Sequence, residues 1–261
     1  MTEQLSLFDS RWVRAADAVA APLCVRVSRR ARSLTLRLIP PHTLELVVPR
    51  GTRPAEVAAF VHEHRRWIER ARSEIAAHYP AAQDRLPARV DLPSIGRSWA
   101  VRYRHQPSSR PQCRGAGDVL EVRTRDPEHK GARTLLRSWL LDQARTYLKP
   151  WLMREAEVVG RGPKGIQIRL QRTRWGSCSS SANISLNAGL MFLEPAVVRY
   201  LLIHELCHLF ALNHSARFWR AVAQFEPRYR ELDRRLTEAW ADIPLWAHAG
   251  ARDADVLEAV Y

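Results

Sequence analysis

His204-Glu205-Leu206-Cys207-His208, with His214 six residues further on, constrains this chain more than any other feature. On an α-helix, residues four apart share a face, so His204 and His208 present their imidazoles to one point in space. Glu205 is turned by about 100° from His204, which sets its carboxylate beside a shared metal ion rather than on it. A third imidazole has to come from outside that helical turn, and His214 is placed to supply it. The pattern predicts a helix from Pro195 to about Leu212, with Asn213 as a left-handed C′ residue and Ser215 as cap of the next helix. His214 then occupies the corner between two helices and faces back toward the pair. Three protein ligands leave a fourth position for water, which is the catalytic arrangement of zinc, and three imidazoles favour Zn2+. Glu205 is placed to take a proton from that water. The flanking Leu201, Leu202, Ile203, Leu206, Leu209 and Phe210 predict a buried helix, where a lone carboxylate is costly unless it has such a partner.

The rest of the chain changes character along its length. Residues 1–22 read as a flexible tail. Alternating apolar residues over Cys24–Val27, Ser33–Leu38 and Thr43–Val48 predict strands, the last two joined through Pro40-Pro41-His42 as an antiparallel hairpin. Pro54 opens a helix expected to run to about His78. Strands are predicted at Arg89–Leu92, Ser98–Arg104 and Val119–Thr124, with a loop over Gln106–Gly117. The pattern therefore groups residues 23–125 as a β-rich region. A long helix over Ala132–Gly160 follows, with a kink expected at Pro150. Ile166–Leu170 and Asn183–Asn187 read as strands around a turn at Trp175–Ser180. Helices at about Ala216–Phe225 and Arg228–Trp240 complete a region spanning 126–240, and residues 241–261 show no pattern. The fold class is α+β, an antiparallel β-rich N-terminal region with a helix followed by a mostly helical region with a small sheet.

Composition narrows the function classes. Of 261 residues, 46% are hydrophobic and 26% charged, which excludes a wholly disordered chain. No apolar run approaches the roughly 20 residues of a membrane span, and charges near the start leave no room for a signal peptide core. A cytoplasmic location is expected. Basic residues number 41 against 27 acidic, a net charge of +14, and only Lys130, Lys149 and Lys164 are lysines. Such arginine wealth attracts phosphate, so DNA is a candidate partner of this surface. The four cysteines form no paired motif and read as free thiols. Cys207 reads as a small core residue and Cys178 as inert. His62 and His64 lie two apart and cannot share a helix face, which argues against a second metal site.

Ile203–Leu209 with Asn213-His214-Ser215 and Phe218-Trp219 resembles the YgjP-like zinc metallopeptidases, relatives of the SprT-like proteases. Arg172-Thr173-Arg174-Trp175-Gly176-Ser177-Cys178-Ser179 and Asn183–Asn187 are similar to the segment that precedes the metal helix in that family. Ser28–Leu34 and Arg65-Arg66-Trp67-Ile68 are similar to its N-terminal part. The resemblance covers about residues 23–240. It implies a zincin-like catalytic region, with His204, His208 and His214 as zinc ligands, Glu205 as base, and protein or peptide as substrate. Phe210-Ala211-Leu212 departs from the more usual polar stretch. The spacing of the third histidine equals that of metzincins, but their turn glycine is Ala211 here, and that name is not carried over.

Two further features bear on partners. Gln4-Leu5-Ser6-Leu7-Phe8 resembles the short peptide by which bacterial proteins dock on the DNA polymerase sliding clamp, with Leu5, Leu7 and Phe8 entering apolar subsites. With the charge, it suggests a protease acting on DNA-associated proteins. The Asn183–Asn187 strand either pairs with an extended peptide substrate or is internal to a sheet. Trp175 and Ser177, in the turn before the metal helix, read either as lining the cleft or as a packed indole and a turn residue. Two competing functions remain at this level: a metal-dependent nucleotide phosphoanhydride hydrolase, and a non-enzymatic basic nucleic-acid-binding protein with structural zinc.

Overall fold

The computed structural model describes residues 23–39, 43–78, 86–106, 111–125 and 130–248. The described residues divide into two compact units, one within residues 23–78 and one within residues 86–248. The sequence pattern placed the change near residue 125 instead. The physical reason for the difference is packing: the four-stranded sheet of the 89–124 stretch buries its apolar face against the long helix that follows it.

In the first unit, β1 (Leu23–Ser28), β2 (Thr35–Ile39) and β3 (Thr43–Pro49) form a sheet in the order β1-β3-β2. β2 and β3 are antiparallel, as the hairpin reading expects, but β1 joins the far side of β3 in parallel. Register brings Val25, Leu36 and Leu46 onto one face, and two helices cover it. α1 (Pro54–Glu63) contributes Val57 and Val61, and α2 (Arg65–His78) contributes Ile68 and Ala71. The single helix expected over 54–78 is interrupted at His64. Its ring Nδ1 and its backbone N–H both donate to the Phe60 carbonyl, at 2.9 and 3.1 Å, and the next turn restarts from the His64 carbonyl.

The second unit opens with β4 (Arg89–Leu92), β5 (Arg97–His105), β6 (Gln112–Ala116) and β7 (Val119–Thr124) in the order β4-β5-β7-β6. β5 and β7 are parallel and the other two pairs antiparallel, so the β-rich half is mixed rather than antiparallel. β6 falls within the stretch expected to be a loop. A Cβ at Gly115 would lie 3.5 Å from the Trp99 indole nitrogen and 3.8 Å from that of Trp139, which is ordinary van der Waals contact. α3 (Lys130–Val159) continues through Pro150 and buries Leu136, Leu140, Ala144, Leu148 and Leu152.

β8 (Gly165–Arg169), β9 (Gly176–Cys178) and β10 (Asn183–Asn187) form a third sheet in the order β8-β10-β9. β9 lies where the sequence predicts a turn. α4 (Pro195–Cys207), α5 (Ala216–Phe225) and α6 (Tyr229–Glu238) follow. Arg199 of α4 ties three helices together, pairing with Glu155 of α3 at 3.3 Å and with Glu226, the C-cap of α5, at 2.8 Å. The segment after Ala241 is not a patternless tail as far as residue 248. Ile243, Leu245, Trp246 and Ala247 are buried, Trp246 packs edge-on to Phe192, and Arg137 donates to its carbonyl at 2.8 Å. No helix among the described residues is long and apolar enough to cross a membrane. Gln4–Phe8 lies outside the described residues.

Candidate metal centre

α4 is apolar almost all round. Pro195 sits in its first turn, and Val197, Val198, Leu201, Leu202, Ile203, Leu206 and Cys207 are buried. A helix of this composition belongs in the core, and its few polar side chains need partners there. It ends at Cys207, five residues sooner than the apolar pattern suggests. His208 keeps helical dihedrals and its N–H reaches the His204 carbonyl at 3.3 Å, so the two rings retain their four-residue relation. Beyond it the backbone tightens, with Leu209 N–H on Leu206 O at 2.9 Å and Phe210 N–H on Cys207 O at 3.0 Å. The corner is made by this tightening and not by a left-handed Asn213, because Ala182 is the sole non-glycine with positive φ among the described residues. Ser215 occupies the N-cap position of α5 without a side-chain cap bond.

His204, His208 and His214 come together, each offering a nitrogen within 4.8 Å of the others. His214 Nε2 lies 3.1 Å from His204 Nε2. Two nitrogens bound tetrahedrally to one zinc at ~2.0–2.1 Å are about 3.3 Å apart, so this spacing fits a shared ion. The protonation pattern fits as well. His208 Nδ1 is 3.2 Å from the Ala211 carbonyl, which can only accept, so the hydrogen is on Nδ1 and Nε2 keeps its lone pair. His204 Nδ1 faces the Tyr200 hydroxyl at 3.3 Å. Phe218 of α5 is fully buried beneath the cluster, stacked on His208 at 4.4 Å and edge-on to the other two rings. Burial, followed by the charge of the neighbouring imidazoles, pushes His204 down to about 3; His208 is lowered chiefly by burial. Both rings are therefore neutral near pH 7, as ligands must be.

Glu205 is 4% exposed, and its Oε2 has no hydrogen-bond partner among the described residues. Burial raises its carboxyl to about 8, opposed by the charge of Arg174. Glu205 thus holds a buried carboxyl, one oxygen of it unpartnered among the described residues, one position after His204. Its side chain lies over the backbone of β9. A Cβ on Gly176 would sit 2.8 Å from both Cγ and Cδ of Glu205, so only glycine fits.

Sequence reasoning singled out Trp175 and Ser177 around this glycine but gave Gly176 no role; a glycine inside a short strand is the signal that could have found it. Trp175 packs in the core, stacked on Trp240 at 4.2 Å. Ser177 pairs with Ser185 across the sheet. Asn187 also went unassigned, although it braces this strand. Its amide donates to Gln171 O and Arg174 O at 2.9 and 3.0 Å, and its carbonyl oxygen accepts from Gly189 N–H at 3.0 Å. Cys207 is buried, and Cys178 is half-buried with its thiol raised by burial. No other cluster of three metal-ligating side chains is found among the described residues.

The family comparison agrees with the chemistry of the donor set. No curated protein matches the chain. A solved structure, the metallopeptidase zymogen of Pyrococcus abyssi abylysin, is 31% identical over 34% of this chain and 92% of that one, with a TM-score of 0.32. The YgjP-like metallopeptidase domain model matches residues 32–239. That span contains all three histidines, Glu205 and the strand that carries Gly176, and the chain belongs to the YgjP-like metallopeptidase family.

Proposed function

We propose that the protein is a zinc-dependent peptidase in which His204, His208 and His214 hold the ion and Glu205 is the general base. The observation that carries this reading is the juxtaposition of three converging imidazoles with a buried carboxylate whose Oε2 has no hydrogen-bond partner among the described residues. When bound, zinc would polarise the scissile carbonyl and acidify a water molecule. Glu205 takes the proton from the attacking water and delivers it to the departing amine. Gly176 leaves the space that its carboxylate needs for both transfers. Phe218 holds the three rings against rotation.

The peptide-pairing role considered for Asn183–Asn187 does not hold, because β10 is the central strand with partners on both sides. β9 is an edge strand, and its residue Gly176 faces Glu205. An extended substrate adding to β9 places its backbone beside the base.

The substrate reading that fits the charge is protein associated with DNA. Its support is the exposure of Arg29, Arg30, Arg32, Arg50, Arg65, Arg66 and Arg70 in the first unit, none with an ion pair among the described residues. Docking to a sliding clamp through Gln4–Phe8 belongs to the same reading.

The test is hydrolysis of free protein, DNA-bound protein and nucleoside triphosphate by the purified chain, each with and without chelator, together with elemental analysis. Chelator-sensitive cleavage of protein is expected, faster on the DNA-bound form. Glu205→Gln should keep its zinc and lose cleavage. Turnover of triphosphate alone would establish the phosphoanhydride reading, and bound zinc without any turnover would establish a structural site.

A further inference from the structure

We infer that Tyr200 and Asp233 act as positioning residues for the metal centre, forming a relay that sets the tautomer and orientation of His204. This rests on the metal-site reading above and deepens it. Tyr200 lies one turn before His204 on α4, on the same face, and is fully buried. Its hydroxyl is 2.6 Å from Asp233 Oδ1, on α6, and 3.3 Å from His204 Nδ1.

The direction of each bond follows from the available protons. A phenol has one hydrogen, and a carboxylate only accepts. The short O···O contact to Asp233 takes that hydrogen, so Tyr200 turns lone pairs toward His204. His204 must then carry its own hydrogen on Nδ1, which leaves the lone pair on Nε2. That atom is the one 3.1 Å from His214 Nε2. Without the relay, a neutral His204 is free to protonate Nε2 instead and lose its capacity to bind metal through that atom. Ala211 performs the equivalent task for His208 through its backbone carbonyl. The carboxylate adds what a carbonyl lacks: its full charge polarises the phenol and makes the imidazole a stronger donor. Through this contact α6 reaches the centre while contributing no ligand to it.

Zinc affinity of the metal-stripped protein, measured by competition with a chromophoric chelator, tests the relay. Tyr200→Phe removes the hydroxyl and nothing else, and is expected to weaken zinc binding by about 10- to 100-fold. Asp233→Asn should weaken it by a smaller factor. Because Asp233 acts through Tyr200, Asp233→Asn should have no further effect in the Tyr200→Phe background. The metal-free melting temperature of each variant checks folding, and Asp233→Asn, which leaves the packing unchanged, decides if Tyr200→Phe unfolds. Wild-type affinity in Tyr200→Phe, or an equal effect of Asp233→Asn in both backgrounds, would overturn the relay while leaving the metal site intact. A wild-type chain that takes up no zinc would overturn the metal reading and the relay with it.

Discussion

Glu205 shows what a single residue costs this fold. Its carboxyl is raised to about 8 by burial, against an ordinary value of 4.5. A raised carboxyl binds its proton more tightly in the folded chain than in the unfolded one. The stability linked to it is fully present below about pH 4.5 and is lost as pH rises toward 8. In the metal-free protein, Glu205→Gln should therefore melt above wild type at pH 8, by a few kcal/mol at most, and the gap should close near pH 5. Urea unfolding at the two pH values reads this directly, and equal gaps at both would show that burial of the charge is not the cause. The histidine partners were legible from spacing alone, because four residues is one turn. Tyr200 and Asp233 were not, because 33 residues separate the partners of that bond and no local period links them.

β9 carries the corresponding lesson for elements. Three residues are too few to display a strand's alternation, and Trp-Gly-Ser-Cys has the composition of a turn. It is extended because β10 pairs with it and because Asn187 anchors the chain just before it. Gly176→Ala should force Glu205 or the strand to move by a few tenths of an ångström or more. Loss of roughly 100-fold in kcat with zinc content unchanged is expected, since small misplacements of a catalytic group are that costly. Activity at the wild-type level in Gly176→Ala would detach the strand from the chemistry. The early end of α4 has the same origin. Apolar periodicity extends to Leu212, yet the helix stops at Cys207, since the chain must turn for the Ala211 carbonyl to reach His208 and for His214 to return.

For the whole molecule, the two units have separate cores. The core of the first is built from residues between Val25 and Ala71, and that of the second from residues between Leu86 and Ala247. Among the described residues, no buried side chain belongs to both. Residues 82–249 expressed alone should unfold cooperatively and bind one zinc with the affinity of the full chain. A molten, metal-free fragment would show that the first unit is needed to form the second.

The amino-acid sequence by itself determined which groups could meet a metal ion: helix geometry spaces His204 and His208, an apolar context buries Glu205, and a second helix begins just after His214. It also determined the α+β class, because strand and helix periods are local properties of short windows. Tertiary structure alone decided which strand is central and which two are edges, where the helix carrying the ligands ends, and which residues outside that helix, Gly176, Asn187 and Asp233, surround the site. The reason is physical. Periodicity is written in neighbours along the chain, whereas hydrogen-bond partners and close approaches depend on the packing of segments tens of residues apart, where burial leaves each polar atom dependent on whatever the fold brings to it.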